Sequence, residues 1–414
     1  MVYYPLLFHL TTKALPSILM KNLMQVKFHT FPVGAGDCIT LLLRNDDREM
    51  HIMVDCGLYT QEVNDYIVNE FHSHIDYLIV THIDNDHING LIEMLKSKPD
   101  LTINHIFYNC YQRTSENLQE WDEKMVENMK RVYDHLPVVV DMLEQKINAE
   151  SSMSLAKLIL ENDNWKKAWR REYIIDKSSM VDLGNDMGRI IFLSPNKEAL
   201  DTLDKKYRLL FWKTLYKPKK LDYDKEETIF EALMRIMEQE DNEGFDEEPV
   251  SSKVLDKNAL KFYADEKMKG LSPANEASIA FIWEHEGHRI LFMGDANPDQ
   301  VVKKIGDVYK DTPKPVLFDA IKISHHGSAH STSKELVSIA DSERYFVTGG
   351  ANARPSYQAL SRIIITPLPK DLSHREIRYN RENDILKSLA SNESLKDKLH
   401  YSITANENEY EVSY

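Results

Sequence analysis

Between Thr81 and Gly90 the chain reads Thr-His-Ile-Asp-Asn-Asp-His-Ile-Asn-Gly, which packs two imidazoles (His82, His87) and two carboxylates (Asp84, Asp86) into six consecutive residues. Imidazole and carboxylate are the donors that zinc, manganese and similar divalent ions accept. Two further stretches share this character. Asp295 follows the apolar run Ile290-Leu291-Phe292-Met293 and Gly294, and the pair His325-His326 follows Ala320-Ile321-Lys322-Ile323-Ser324 and precedes Gly327. A lone Asp is ordinarily a turn-former, and histidines such as His29, His51, His105 and His374 stand without such company. The compound pattern is what points to a metal centre.

These residues need elements to hold them. Ile75 to Val80 is an apolar run that reads as a buried strand feeding the first cluster, and loops at strand ends are where α/β enzymes build sites. On an extended backbone alternate residues share a face, so His82, Asp84 and Asp86 are expected to point one way, with His87 brought in by a local turn. A helix is expected to begin at Asn89-Gly90. Two ions bridged by one carboxylate would use all these groups. Asp295 is the best bridge, because it comes from another loop and Gly294 permits close approach.

The flanks of the chain read as β structure, at 25–31, 38–44, 50–57, 103–109, 277–283, 289–295, 318–324, 344–350, 399–404 and 409–413. Residues 111–270 differ: Glu, Lys, Met and Leu dominate at helical spacing (Met125, Met129, Val132, Leu136; Ile229, Leu233, Ile236), interrupted by one β-like piece, Arg189 to Pro195. The expectation is an α/β (α+β) protein with one domain over 24–414, a mostly helical insertion at 111–270 and an N-terminal extension at 1–23.

Of the 414 residues 42% are hydrophobic, enough for a large core, and the formal net charge is −15. That charge argues against the general basicity of duplex-binding proteins; it leaves open a nucleic acid held by bound metal and a local basic patch. Three cysteines, Cys38, Cys56 and Cys110, give neither a disulfide framework nor a thiolate zinc site, which fits a cytoplasmic setting. No stretch approaches the roughly 18–20 apolar residues of a membrane span, and His9, Lys13 and Pro16 break up any signal-peptide reading of the first 23 residues.

The succession FPVGAGDCITLLL, MVDCG, THIDNDHING, NEASIAFI, ILFMGDA and IKISHHGS resembles the metallo-β-lactamase-fold hydrolases, and within them the branch found as the C-terminal domain of the competence protein ComEC/Rec2. The resemblance runs from residue 24 to residue 360 and leaves the helical insertion unmatched. It implies an αββα sandwich with the site along one edge of two packed sheets. It assigns His82, Asp84, Asp86, His87, Asp295 and one of His325 and His326 to one or two divalent ions, Zn²⁺ or Mn²⁺. The chain departs from the superfamily pattern in two ways: Asp84 stands at the usual second His, and Ser194-Pro195-Asn196 occupies the region of the usual third His. One metal position (Asp86, His87, Asp295, and His325 or His326) is therefore expected to be complete and the other (His82, Asp84, Asp295) thin. Asp37 and Asp55 are expected to support metal histidines, Asn275 and Ser278 to position substrate or backbone, and Ser328 to contact phosphate. Arg354 stands where the branch often has His. The implied activity is hydrolysis by a metal-activated water, foremost of a phosphodiester in DNA or a nucleotide. Asp86 or Asp84 would accept the proton, and Lys322 and Arg354 would hold phosphate. A small-molecule ester or lactone hydrolase is the alternative enzyme, and a metal-bound subunit docking a protein partner through the insertion is the alternative of another class.

Overall fold

The computed structural model describes residues 23–46, 48–110, 154–170, 172–184, 186–214, 230–235, 255–350 and 354–414. Two sheets form its centre. The first has the order β17-β1-β2-β3-β4-β5-β6, from β1 (Gln25–Thr30), β2 (Ile39–Arg44), β3 (Glu49–Val54), β4 (His74–Val80), β5 (Thr102–Tyr108), β6 (Trp169–Arg170) and β17 (Glu409–Ser413). The second has the order β16-β15-β14-β12-β10-β9-β8-β7, from β7 (Val181–Asp182), β8 (Arg189–Ser194), β9 (Ala280–His285), β10 (His288–Phe292), β12 (Ala320–Lys322), β14 (Arg344–Val347), β15 (Arg375–Tyr379) and β16 (Tyr401–Ala405). A separate two-stranded ribbon pairs β11 (Val316–Phe318) with β13 (Ala340–Ser342).

Side-chain alternation along the strands builds three apolar layers. Ile190 and Phe192 of β8, Ile290 and Phe292 of β10, and Tyr77 and Ile79 of β4 meet between the sheets with Phe28, Phe107, Phe281 and Phe346. Leu78 and Val80 face the other way, onto α1 (Gln61–Asn69), α2 (Asn85–Ser97), α3 (Leu155–Glu161) and α4 (Asp163–Ala168). Ile191, Leu193 and Leu291 face α5 (Lys257–Asp265), α6 (Pro298–Val308), α7 (Lys334–Ile339), α8 (Tyr357–Ile365) and α9 (Asp384–Ala390). The result is the expected αββα sandwich.

β3 to β6 run parallel in the first sheet, as do β10, β12, β14, β15 and β16 in the second. The carboxyl ends of β3, β4, β10, β12 and β14 carry Asp55, His82, Asp295, His325 and Thr348 respectively, so the candidate donors collect at one edge.

Some expectations are revised. Within 111–270, β8 is an interior strand of the second sheet, β7 its edge, and β6 extends the first; the apolar residues of β8 are shared between two cores, and Trp169 of β6 packs in the third. The helical spacings at Met125–Leu136, and at Ile229 and Ile236, lie outside the described residues, as do residues 1–22 of the extension expected at 1–23. The strand expected from Ala277 begins at Ala280, because Pro273–Glu276 forms a helical turn capped by Ser272. The helix expected at Asn89 starts four residues earlier, at Asn85. Cys38, Cys56 and Cys110 are buried and unbridged. Among the described residues no helix is long and apolar enough to cross a membrane.

Candidate metal centre

Asp84 keeps extended dihedrals (φ −64°, ψ 147°) at the N-cap of α2, but its side chain makes no capping hydrogen bond. An N-cap carboxylate normally accepts from the first-turn amides; here it turns toward His82 instead. Asp86 and His87 then sit in the first helical turn, which corrects the expectation that Asp86 continues an extended run with His82 and Asp84.

Asp295 stands at the middle of the cluster. His82 Nε2 lies 3.4 Å from Asp84 Oδ2 and 3.6 Å from Asp295 Oδ2, and His325 Nε2 is 3.6 Å from that same oxygen. On the other side His87 Nε2 lies 3.5 Å from Asp295 Oδ1 and 3.9 Å from Asp86 Oδ1, while His326 Nε2 is 3.2 Å from Asp86 Oδ2. Most of these separations are long for hydrogen bonds. They match donors sharing an ion: with bonds of about 2.0–2.1 Å at tetrahedral angles, neighbouring donors stand about 3.4 Å apart.

The opposite ring nitrogens explain how the imidazoles are held. His87 Nδ1 is 2.8 Å from Asp55 Oδ2, and His326 Nδ1 is 2.8 Å from the Thr348 carbonyl. Both partners are acceptors, so each Nδ1 carries the hydrogen and a neutral ring presents a bare Nε2. His82 Nδ1 contacts Thr81 Oγ1 at 3.0 Å and Ser278 Oγ at 3.4 Å. Nε2 of His82, His87 and His326, and Oδ1 of Asp84 and Asp295, are buried with no hydrogen-bond partner. Lone pairs of nitrogen facing lone pairs of carboxylate repel unless positive charge lies between them, and burial magnifies the cost. The residues present therefore fit a divalent cation. In its absence the same demand falls on protons. Burial opposes a charge on His87, yet Asp295 and Asp86 push its pKa well above the ordinary value. His326 is likewise raised to about 9 by Asp37 and Asp295 against burial. His325 is driven the other way, to about 3, by burial, with Arg354 adding to the shift and Asp295 opposing it. Its lone pair is free at neutral pH. Burial would raise the carboxyls of Asp295 and Asp86, but the surrounding imidazoles hold both well below the carboxylate range.

The structure gathers the seven candidate donors around Asp295, with Nε2 of both His325 and His326 facing carboxylates of the cluster. His325 Nε2 joins His82 Nε2 at Asp295 Oδ2, and the groups whose donor atoms all lie within 4.8 Å of one another include His82–His87–Asp295 and Asp86–His87–His326. His325 and His326, with φ of 49° and 54°, lie in the left-handed region, strained for residues with a Cβ. That backbone swings two adjacent side chains to one side. Gly294 (φ 51°) leaves only 2.7 Å between a would-be Cβ and Ser278 Oγ, so the close approach does require glycine.

Below the donors, Asp55 accepts from Thr81 N at 2.7 Å and Thr81 Oγ1 at 2.6 Å as well as facing His87. Asp37 is fully buried, paired with the Lys322 ammonium, bonded by Thr348 Oγ1, and 3.4 Å from His326 Nδ1. Lys322, expected at phosphate, is thus sealed beneath the site. Ser278 Oγ accepts from Asp295 N at 3.1 Å, and Asn275, buried beside it in sequence, makes the turn that delivers it. Ser328 caps the turn after His326, its N–H on the His325 carbonyl at 2.9 Å. Arg354 is half-buried, near enough for its charge to be felt at His325. Thr81 and Thr348 were not singled out by sequence, although both adjoin the strand ends that flagged their neighbours.

Four layers with a dense imidazole–carboxylate cluster at one edge define an αββα sandwich whose edge residues could hold a metal ion. Residues 33–155 match the family model described as Metallo-beta-lactamase superfamily. Among solved structures it is similar to a mutant of CmlA beta-hydroxylase (10% identity, TM-score 0.39, 94% of this chain and 54% of that chain). It is also similar to the metallo-beta-lactamase fold protein YhfI from Bacillus subtilis (8% identity, TM-score 0.35, 95% and 100%) and to a diphosphatase from the PhnP family (9% identity, TM-score 0.34, 94% and 98%). The chain spans about half the length of the CmlA chain. No curated protein matches it in sequence.

Proposed function

We propose that the chain is a metal-dependent phosphodiesterase acting on a DNA strand or a nucleotide. The observation that carries this reading is Asp295, whose Oδ2 faces His82 and His325 while its Oδ1 faces His87. Paired cation positions suit in-line displacement at phosphorus, where attacking and leaving oxygens both need charge neutralised. His82, Asp84, Asp295 and His325 would hold one ion, and Asp86, His87, Asp295 and His326 the other. Zn²⁺ or Mn²⁺ bound there would make water more acidic and offset charge developing on the phosphoryl group.

The chain's own residues do the rest. Asp84 Oδ1, buried and without a hydrogen-bond partner, is the open carboxylate oxygen for a proton, whereas both Asp86 oxygens face imidazoles. Arg354 supplies fixed positive charge for a phosphate oxygen, a task Lys322 leaves to it by pairing with Asp37. The resemblance to the ComEC-type branch favours DNA.

The test uses chelator-stripped protein reloaded with Mn²⁺ or Zn²⁺, assayed on a bis-aryl phosphodiester and on labelled single-stranded DNA. Cleavage of at least one is expected, with Asp295→Ala reducing it to background and lowering the content of both ions. Metal-loaded protein that cleaves an ester or lactone but neither phosphodiester would refute the substrate class. Full activity in Asp295→Ala would refute the centre.

A further inference from the structure

Arg235 lies in the helical residues 230–235, far along the chain from the first metal cluster. Its buried guanidinium donates from Nε to Asn85 Oδ1 at 2.7 Å and from Nη2 to Asn89 Oδ1 at 2.6 Å. The two asparagines stand one turn apart on α2, and Asp86 and His87 lie between them. The segment that presents Arg235 is itself tied down. Glu231, fully buried, accepts from Leu155 N and Ala156 N at 2.8 Å each and from Tyr108 Oη at 3.1 Å, so the end of β5 and the start of α3 fix its place. Arg235 Nη1 is 3.9 Å from Glu231.

Helix stability does not explain a cation here, because positive charge at a helix N-terminus opposes the macrodipole. The fork gives orientation instead: two planar N–H donors on two side chains one turn apart fix the rotation of the helix start. That rotation decides where Asp86 and His87 point, and no side-chain cap from Asp84 is available to fix it.

We infer that Arg235 is a positioning residue for the metal-holding turn of α2 and sets the affinity of the Asp86–His87–Asp295–His326 position. The inference rests on the metal reading above. It is tested on the stripped full-length protein by calorimetric titration with Mn²⁺ and with Zn²⁺, alongside the melting temperature of the metal-free form. Arg235→Lys keeps the charge and loses the fork; it should weaken one of the two binding events by about 10–100-fold, the usual range for residues that orient a ligand, and spare the other. Asn89→Ala should weaken the same event less, and the double variant should lose less than the sum of the singles. Variants that melt earlier but titrate like wild type would overturn the inference alone. If Arg235→Lys does not fold, Asn89→Ala decides, and unchanged affinity there overturns it. Wild-type protein that takes up neither ion overturns the metal reading and this inference together.

Discussion

Asp37 and Lys322 are almost completely buried and paired with each other under the centre. Breaking a buried pair from one side strands a charge and costs about 3–5 kcal/mol, whereas replacing both partners with apolar groups can be nearly neutral. Asp37→Asn should therefore destabilise the metal-free protein by about that amount in denaturant unfolding, and Asp37→Asn with Lys322→Met should recover more than half; an unchanged single variant would refute the pairing. The pH dependence has a definite sign. Burial raises the Asp37 carboxyl, but Lys322 and then His326 overcome that and hold it well below its ordinary 3.8. The unfolded chain thus binds that proton more readily, so the stabilisation is complete above about pH 5 and drains away as pH falls through and below about 4. Wild-type stability should fall more steeply below about pH 4 than that of Asp37→Asn. At this scale the sequence was informative where donors sit close together at strand ends, as in His82 to His87. It could not choose between His325 and His326, since adjacent residues on ordinary extended backbone point to opposite sides and only two successive left-handed residues bring both round.

The element that matters most is α2, and its seat is shaped by glycine. A Cβ on Gly36 would lie 1.7 Å from the Asp86 carbonyl oxygen, and one on Gly57 would lie 1.9 Å from it. Asp37 N–H donates to that oxygen at 3.1 Å, and Cys56 N–H to the His87 carbonyl at 2.8 Å. Gly57→Ala must push the first turn of α2 outward, and its metal affinity should drop at least about tenfold. Gly270→Ala, with open space around it, should stay within about 0.5 kcal/mol of wild type in stability. Equal affinity in Gly57→Ala and wild type would contradict the seat. Strands and helices of the flanks were legible because period-2 alternation separates the two faces of each sheet. The start of α2 was not, because Asp84 serves as N-cap with its carboxylate turned away. Nor was the clamp from Arg235, whose partners lie 146 and 150 residues away.

For the whole molecule, the net charge of −15 sets how a polyanion can approach. On the proposed phosphodiester reading, in which Arg354 is the main phosphate contact, few counterions would be released on binding. A single-strand substrate should show a slope of log affinity on log salt near −0.7, the value for one phosphate contact, measured from KM between 50 and 200 mM salt. A slope several times steeper would reveal a basic surface beyond Arg354. The sandwich itself was foreseeable from motif order. Of the three strands within 111–270 that join the sheets, β8 was legible in its apolar run, whereas β6 and β7, two residues each, are easily lost in a helical background.

The donors are divided between the layers: His82, Asp84, Asp86 and His87 hang from the first sheet, and Asp295, His325 and His326 from the second. Beside them the Asp37–Lys322 pair also crosses the seam, and apolar contacts such as Phe28 on Phe292 and Phe346 close much of the rest. An ion gripped from both sides would make the centre a rivet, so that prising the layers apart means rupturing coordinate bonds as well as wetting a core. At a free ion concentration 100 times the dissociation constant this is worth about 2.7 kcal/mol. A chelator would then act on the protein's shelf life as well as its chemistry, and protease survival would report metal loading without any substrate being known.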